Sequence, residues 1–188
     1  MTRFVKIGRD ALFLGAFLVL GSLIIAKVDL TNETVIPGPF FAIDGDTLAA
    51  GIERLRLLGI DAPESDQTCG DGKGGEWACG DAARKALSDL SSDTLAECRG
   101  EARDQYKRIL VHCRRAGVDI NAELVRRGLA VASGGYKAEE TAARGEGRGI
   151  WAGPFDMPRT WRKSHHAIED EPRNEAGFLD RLKGFFAW

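Results

Sequence analysis

Asp44-Gly45-Asp46-Thr47-Leu48, followed after one strand length by Arg56-Leu57-Leu58-Gly59-Ile60-Asp61-Ala62-Pro63-Glu64, is the stretch that decides how this chain is read. It sets three Asp, one Glu and one Arg around two turns joined by a short hydrophobic strand. Asp-Gly is a turn signal. Thr47 to Ala50 and Ile52 to Leu58 read as two strands that meet at Gly51. Carboxylates that converge from two bends make a seat for a hard divalent cation. A guanidinium beside that seat presents a planar fork to phosphate oxygens. The chemistry these residue types suggest is metal-assisted cleavage of a phosphodiester.

Working outward, Val35-Ile36 and Phe40-Phe41-Ala42-Ile43 read as the first strand, with Pro37 and Pro39 limiting its start. Residues 65 to 80 are rich in Gly, Asp and Cys and read as a loop. Asp81 can cap a helix over Ala82 to Leu90. Thr94 to Cys98 and Arg108 to Cys113 read as two more strands, joined by a charged loop. Asp119 or Asn121 starts a helix that ends near Gly128, and Lys137 to Arg144 forms another. Asn121 reads as a cap or structural hydrogen-bonder. Trp77, Trp151 and Trp161 read as packing residues.

Several of these segments together resemble the thermonuclease family, whose type member is staphylococcal nuclease. Asp104-Gln105-Tyr106-Lys107-Arg108 before Ile109-Leu110-Val111 is similar to its D-x-Y-x-R loop-to-strand motif. Asn121-Ala122-Glu123-Leu124-Val125-Arg126-Arg127-Gly128-Leu129-Ala130 is similar to its N-x-x-L-V-x-x-G-x-A helix, and Gly149-Ile150-Trp151 to the end of its last helix. The segments occur in family order over residues 36–162. The resemblance implies an α+β fold: a five-stranded OB-type β-barrel with about three packed helices. It implies a calcium-dependent endonuclease acting on DNA and RNA, with magnesium or another divalent cation as the alternative ion. Carried over by position, Asp46 and Asp61 become metal ligands, with the Ala62 backbone carbonyl as a further ligand and Asp44 nearby. Glu64 positions or deprotonates the attacking water, and Arg56 and Arg108 hold the scissile phosphate. Tyr106, Tyr136 and Lys107 are the candidate substrate contacts.

The chain departs from the family pattern in places. Gln105 stands where the type member has lysine, Lys107 replaces the usual glycine before Arg108, and Ser133 replaces a common aromatic residue three before Tyr136. None of these removes a ligand or a clamping arginine. The rival reading is a catalytically inactive OB-fold module that binds nucleic acid or protein at the cell envelope.

The 188 residues suggest one domain with extra segments at its ends, and the formal net charge is −2. After Lys27 the chain carries 22 basic and 27 acidic residues, a net of −5. Long-range capture of a polyanion by bulk charge is thereby weakened, so any nucleic-acid site must be a local patch. Arg54, Arg56, Arg103, Lys107 and Arg108 are the candidates, with Arg54 and Arg103 better read as solvated surface.

Arg3, Lys6 and Arg9 precede an apolar run from Ala11 to Ala26. Basic residues before such a run keep that end in the cytoplasm and send the rest across the membrane. Residues 1–27 therefore read as a signal anchor or a signal peptide, residues 28–35 as a linker, and residues 36–162 as the catalytic domain. That domain is expected outside the cytoplasm, membrane-anchored through the N-terminal transmembrane helix, or secreted if the segment is cleaved. No obligate protein partner is evident, and a monomer is expected. The charged tail, 163–188, ends in a short amphipathic helix that either docks on the domain or touches a membrane surface.

Four cysteines fit export. Cys69, Cys79, Cys98 and Cys113 allow three disulfide connectivities. Pairing of sequence neighbours is the simplest, with free thiols and a zinc site as rivals. No C-x-x-C occurs, which weakens the zinc reading.

Overall fold

The computed structural model describes residues 12–23, 34–100 and 102–165. Residues 12–23 form helix α1, whose apolar side chains face outward: Leu12, Phe13, Phe17 and Leu18 are each more than half exposed. Among the described residues no helix is long and apolar enough to cross a membrane. The rest of the expected anchor, the linker up to residue 33 and the tail helix lie outside the described residues.

The domain is built on one mixed sheet. Its strands are β1 (Thr34–Pro37), β2 (Phe41–Ala42), β3 (Thr47–Ala50), β4 (Glu53–Leu57), then β8 (Ala96–Gly100), β9 (Ile109–Arg115) and β10 (Val118–Asp119). Between β4 and β8 come β5 (Ile60–Asp61), β6 (Cys69–Gly70), β7 (Glu76–Trp77) and helix α2 (Cys79–Ser91). Beyond β10 follow α3 (Ile120–Arg126), β11 (Val131–Ala132), α4 (Lys137–Gly145), a 3-10 turn (Gly149–Ala152) and α5 (Pro158–His165). Spatial order in the sheet is β1-β8-β9-β4-β3-β2, with β10 added to β9. All pairs in it are antiparallel except β4 with β9.

The expected first strand is two strands. β1 and β2 sit at opposite ends of the sheet order, yet only Gly38, Pro39 and Phe40 join them. A link that short reaches roughly 14 Å at most, so the two edges must approach each other and the sheet must curl into a half-barrel. The prolines explain the break, since Pro37 and Pro39 donate nothing to a ladder. Gly38 N donates instead to Ala96 O, and Phe40 N to Ser91 O. The main sheet thus has seven strands among the described residues, against five expected.

Alternation explains which faces are buried. Leu55 and Leu57 on β4 and Val111 and Cys113 on β9 point inward, while Arg54, Arg56, Leu110 and His112 point away. Leu48, Leu55, Leu57, Ile60, Leu87 and Leu124 pack into one core closed by α2 and α3. Helix α2 starts at Cys79, two residues before the expected cap, and its N-terminus has no side-chain cap. Asp119 caps α3, accepting from Ala122 N at 3.0 Å. Asn121 is fully buried, taking Cys113 N at 3.2 Å and donating to Leu58 O at 3.0 Å. It ties α3 to two strands.

Both disulfides join sequence neighbours, Cys69–Cys79 and Cys98–Cys113. Cys98 and Cys113 sit directly opposite on β8 and β9. Cys69–Cys79 closes the loop expected between residues 65 and 80, and β6 and β7 pair within it. That loop packs with Ile150, Trp151 and Phe155 in a second small apolar cluster.

Candidate active site

Two acidic turns are locked against each other. In the first, Asp46 N donates to Asp44 Oδ1 at 2.9 Å, a local bond that shapes the turn. Leu57 N donates to Asp46 O at 2.9 Å, which pins the turn to β4. The second turn follows β5, and its Ala62 N donates to Asp46 Oδ2 at 2.9 Å. Gly45 makes this contact possible: a Cβ there would lie 2.6 Å from Ala62 Cβ and 2.8 Å from Ala83 Cβ. Any larger residue would push the turns apart.

Arg56, on β4 between the turns, spans both acids. One terminal nitrogen pairs with Asp46 and the other with Asp61 Oδ1, the latter at 2.9 Å. One guanidinium reaches both carboxylates, so they converge on a common point. Asp46 is nearly sealed from solvent, with its side chain 3% exposed. Burial pushes the Asp44 carboxyl up from 3.8, against the pull of its hydrogen bonds to Thr47 and the charges of Arg56 and Arg108. Burial likewise lowers the Arg56 guanidinium, against the opposing effect of Asp61.

Arg108 lies on the same cleft, immediately before β9. Asp104 orients it: Asp104 Oδ2 accepts from Arg108 Nε at 2.8 Å, while Oδ1 accepts the backbone N–H groups of Tyr106 and Arg108. Tyr106 is 70% exposed, and the Arg108 guanidinium sits 5.3 Å from its ring centre. Lys107 takes a left-handed backbone with φ of 66°. That is the conformation a glycine adopts freely, so the loop keeps its turn with a lysine in the glycine's place.

Arg56, Arg108, Asp44, Asp46, Glu64 and Tyr106 all line one open cleft of about 800 Å³. Ala62 lines it as well. Arg54, expected as solvated surface, also reaches it. Asp61, Tyr136 and Lys107 are not on its lining. The Tyr136 hydroxyl donates to Asp119 Oδ2 at 3.3 Å and meets His112 Nδ1 at 3.0 Å. Burial and the Asp119 charge push that hydroxyl's ionisation well above its usual range. Arg103 forms a surface pair with Glu53 at 2.9 Å.

Helix α5 is the part sequence reasoning missed. It carries Arg159, Arg162 and Lys163 to the same cleft. Arg162 meets both Asp61 oxygens, at 3.0 and 3.1 Å, and also pairs with Glu64. Burial lowers the Arg162 guanidinium, but the bonds to Glu64 and Asp61 outweigh it and the net shift is upward. The available signal was Pro158 at a helix start followed by cations spaced for one face.

Among the described residues no group of three or more His, Cys, Asp or Glu side chains is arranged to hold a metal ion. The inward oxygens of Asp46 and Asp61 are engaged by Arg56 and Arg162. The donor set is all oxygen, and its two carboxylates converge, which fits a hard cation by chemistry.

Residues 54–153 match the family described as "Staphylococcal nuclease homologue". The chain belongs to this family. It is 36% identical over 140 residues to the succinoglycan biosynthesis protein ExoI of Rhizobium meliloti (strain 1021), covering 71% of this chain and 73% of that protein. It is 32% identical over 134 residues to an uncharacterized endonuclease of Haemophilus influenzae (strain ATCC 51907 / DSM 11121 / KW20 / Rd), covering 64% and 68%. As a staphylococcal nuclease homologue the chain has a nuclease-type domain, in which Arg56, Asp61, Glu64 and Arg108 fall inside the matched span. Asp44 and Asp46 precede that span and α5 follows it.

Proposed function

We propose that this chain is a divalent-metal-dependent endonuclease that hydrolyses phosphodiester bonds of DNA, RNA or both outside the cytoplasm. One observation carries the reading: two acidic turns locked together at Gly45 are spanned by Arg56, and Arg108 lines the same cleft. A relative described as an uncharacterized endonuclease supports it. The short three-residue link between the two sheet edges supports an OB-type barrel as the scaffold.

Asp46 and Asp61, with the Ala62 carbonyl and Asp44 beside them, are the residues that would hold the cation; calcium is the ion the family resemblance implies. When bound, such an ion supplies Lewis-acid stabilisation of charge on a phosphoryl oxygen. Arg56 and Arg108 grip the scissile phosphate from two sides and offset the negative charge that grows in the transition state. Asp104 holds Arg108 in position for this. Glu64 orients the attacking water and accepts its proton. Tyr106, exposed at the rim, contacts the sugar–phosphate backbone.

Export rests on Arg3, Lys6 and Arg9 before the apolar run. The two disulfides fit an oxidising compartment. The N-terminal segment serves as the membrane anchor, and the nuclease domain acts as a monomer.

The test is degradation of plasmid DNA and of RNA by the purified protein with calcium, with magnesium and with chelator. Cleavage that disappears with chelator and with Glu64→Gln supports the reading. Nucleic-acid binding without cleavage under any of these cations overturns it in favour of a binding module.

A further inference from the structure

We propose that α5 is a phosphate-binding track for the strand that flanks the scissile bond, with Arg159 and Lys163 as its contacts; the proposal rests on the nuclease reading. The chain as a whole is net negative, at −2. Its cleft is the opposite. Arg54, Arg56 and Arg108 from the barrel face Arg159, Arg162 and Lys163 from α5, against only Asp44, Asp46 and Glu64 on the same lining. A local excess of cations on an acidic body concentrates a polyanion at one place.

Half of that cationic lining comes from a helix outside the matched family span of 54–153. Pro158 opens it, with its fixed backbone suited to a first helical turn. Arg159, Arg162 and Lys163 then fall at i, i+3 and i+4, on one face. Arg159 and Lys163 are exposed, and the ion pairs α5 makes among the described residues belong to Arg162. Like charges one turn apart on a helix repel slightly. Adjacent phosphates of a single strand would offset that repulsion.

The helix is also held in place. Gly70 N donates to Pro154 O at 2.8 Å, and the buried Gln67 side chain donates to Asp156 O at 2.6 Å. A Cβ on Gly72 would lie 2.1 Å from Ala152 O, so the disulfide-closed loop and the segment before α5 touch backbone to backbone. Arg162 fastens the far side by gripping Asp61 and Glu64. This leaves Arg159 and Lys163 exposed on the cleft lining, on a segment held at both sides.

The experiment uses the full chain and a 5′-labelled oligothymidylate in chelator, where turnover stops, and reads fluorescence polarisation across a salt series. Each single-strand phosphate contact contributes about −0.7 to the slope of log affinity against log salt. The Arg159→Ala/Lys163→Ala double variant is expected to flatten the slope by about 1.4. Its Kd weakens at least tenfold at low salt, and its KM for cleavage rises. The charge-keeping Arg159→Lys/Lys163→Arg variant keeps the wild-type slope, which separates the contacts from folding. A double variant with unchanged Kd and slope, in a wild type that cleaves, overturns the track alone. The expected slope loss in the double variant, with a wild type that cleaves with no divalent cation, overturns the nuclease reading and leaves α5 as a nucleic-acid-binding surface only.

Discussion

Replacing Arg56 with alanine should destabilise the protein strongly in chelator and much less in calcium. Arg56 is the partner of Asp46, whose side chain is 3% exposed. Removing one member of a buried pair costs about 3–5 kcal/mol, because the other charge is left in a poorly solvating place. Asp46 keeps hydrogen bonds from Ala62 N and the Thr47 hydroxyl. Asp61, the other acid on Arg56, keeps Arg162. The low end of the range therefore applies, about 3 kcal/mol. For a domain of this size that is a fall in Tm of roughly 10 °C. A divalent cation between Asp46 and Asp61 replaces the lost positive charge. At a hundredfold over its Kd it stabilises the folded state by about 2.7 kcal/mol. The wild type gains less from the same cation, because there the ion must compete with Arg56 for Asp46. The gap between the two proteins should thus shrink from about 3 kcal/mol by the difference between the two gains, at most about 2.7 kcal/mol. The assay is thermal unfolding followed by circular dichroism, in EDTA and in calcium or magnesium. A gap of the same size in both media refutes the reasoning, since the carboxylates would then not share an ion.

The other expectations are more direct. Arg108→Ala should lower turnover by about 10²–10³ with the fold retained, as for loss of one preorganised donor; near-normal kcat would remove Arg108 from the clamp. Asp104→Asn should reproduce part of that loss at pH 7. Burial pushes the Asp104 carboxyl up, but its bonds from Arg108 and the loop outweigh this and hold it below 3.8. Its grip on Arg108 is therefore complete above 3.8 and is lost only as pH falls through the depressed value. An acid limb of kcat near neutral pH that Asp104→Asn abolishes would contradict this. Asn121→Ala leaves buried backbone groups of Cys113 and Leu58 without partners and should cost about 2–4 kcal/mol in urea unfolding; a loss below about 1 kcal/mol would show that water replaces the side chain.

The site was more legible than the scaffold. Asp44-Gly45-Asp46 and Asp61-Ala62-Pro63-Glu64 are local turn signals carrying charge, so both their shape and their chemistry show within a few residues. Arg56 and Arg108 were legible only through the motifs that resemble the family's. The need for glycine at position 45 was not, because it arises from Ala62 and Ala83, far along the chain. The division of the first strand turned on which partners β1 and β2 find, and such long-range pairing leaves only the two prolines as a trace. Tyr136 reads as a candidate substrate contact, but its hydroxyl bonds to Asp119 and His112 and it does not line the cleft. In α5 the cation spacing was in plain view. What it faces depends on the mount formed by the 69–79 loop, which reads only as loop.

That mount carries a consequence for the Cys69–Cys79 bridge. In the chain-entropy description, a closed loop of 10 residues stabilises by roughly 2.5–3 kcal/mol. Both cysteines are buried in the small cluster with Val131 and Ile150. The loop they close supplies Gly70, which holds Pro154, and Gln67, two residues before the bridge, holds Asp156 just before α5. Opening this bridge should therefore affect more than stability. Cys69→Ala/Cys79→Ala frees the loop and with it the position of Arg159 and Lys163. Binding of oligothymidylate should weaken in the same direction as for the Arg159→Ala/Lys163→Ala variant, and the two changes should not add. Removing Cys98–Cys113 serves as the control. That bridge joins paired strands β8 and β9, contributes about 3 kcal/mol by the same description, and does not touch the α5 mount. Measured below both melting temperatures, equal losses of affinity from the two disulfide variants would mean that general loosening of the domain is responsible. A loss confined to the Cys69–Cys79 variant places the cause in the mount.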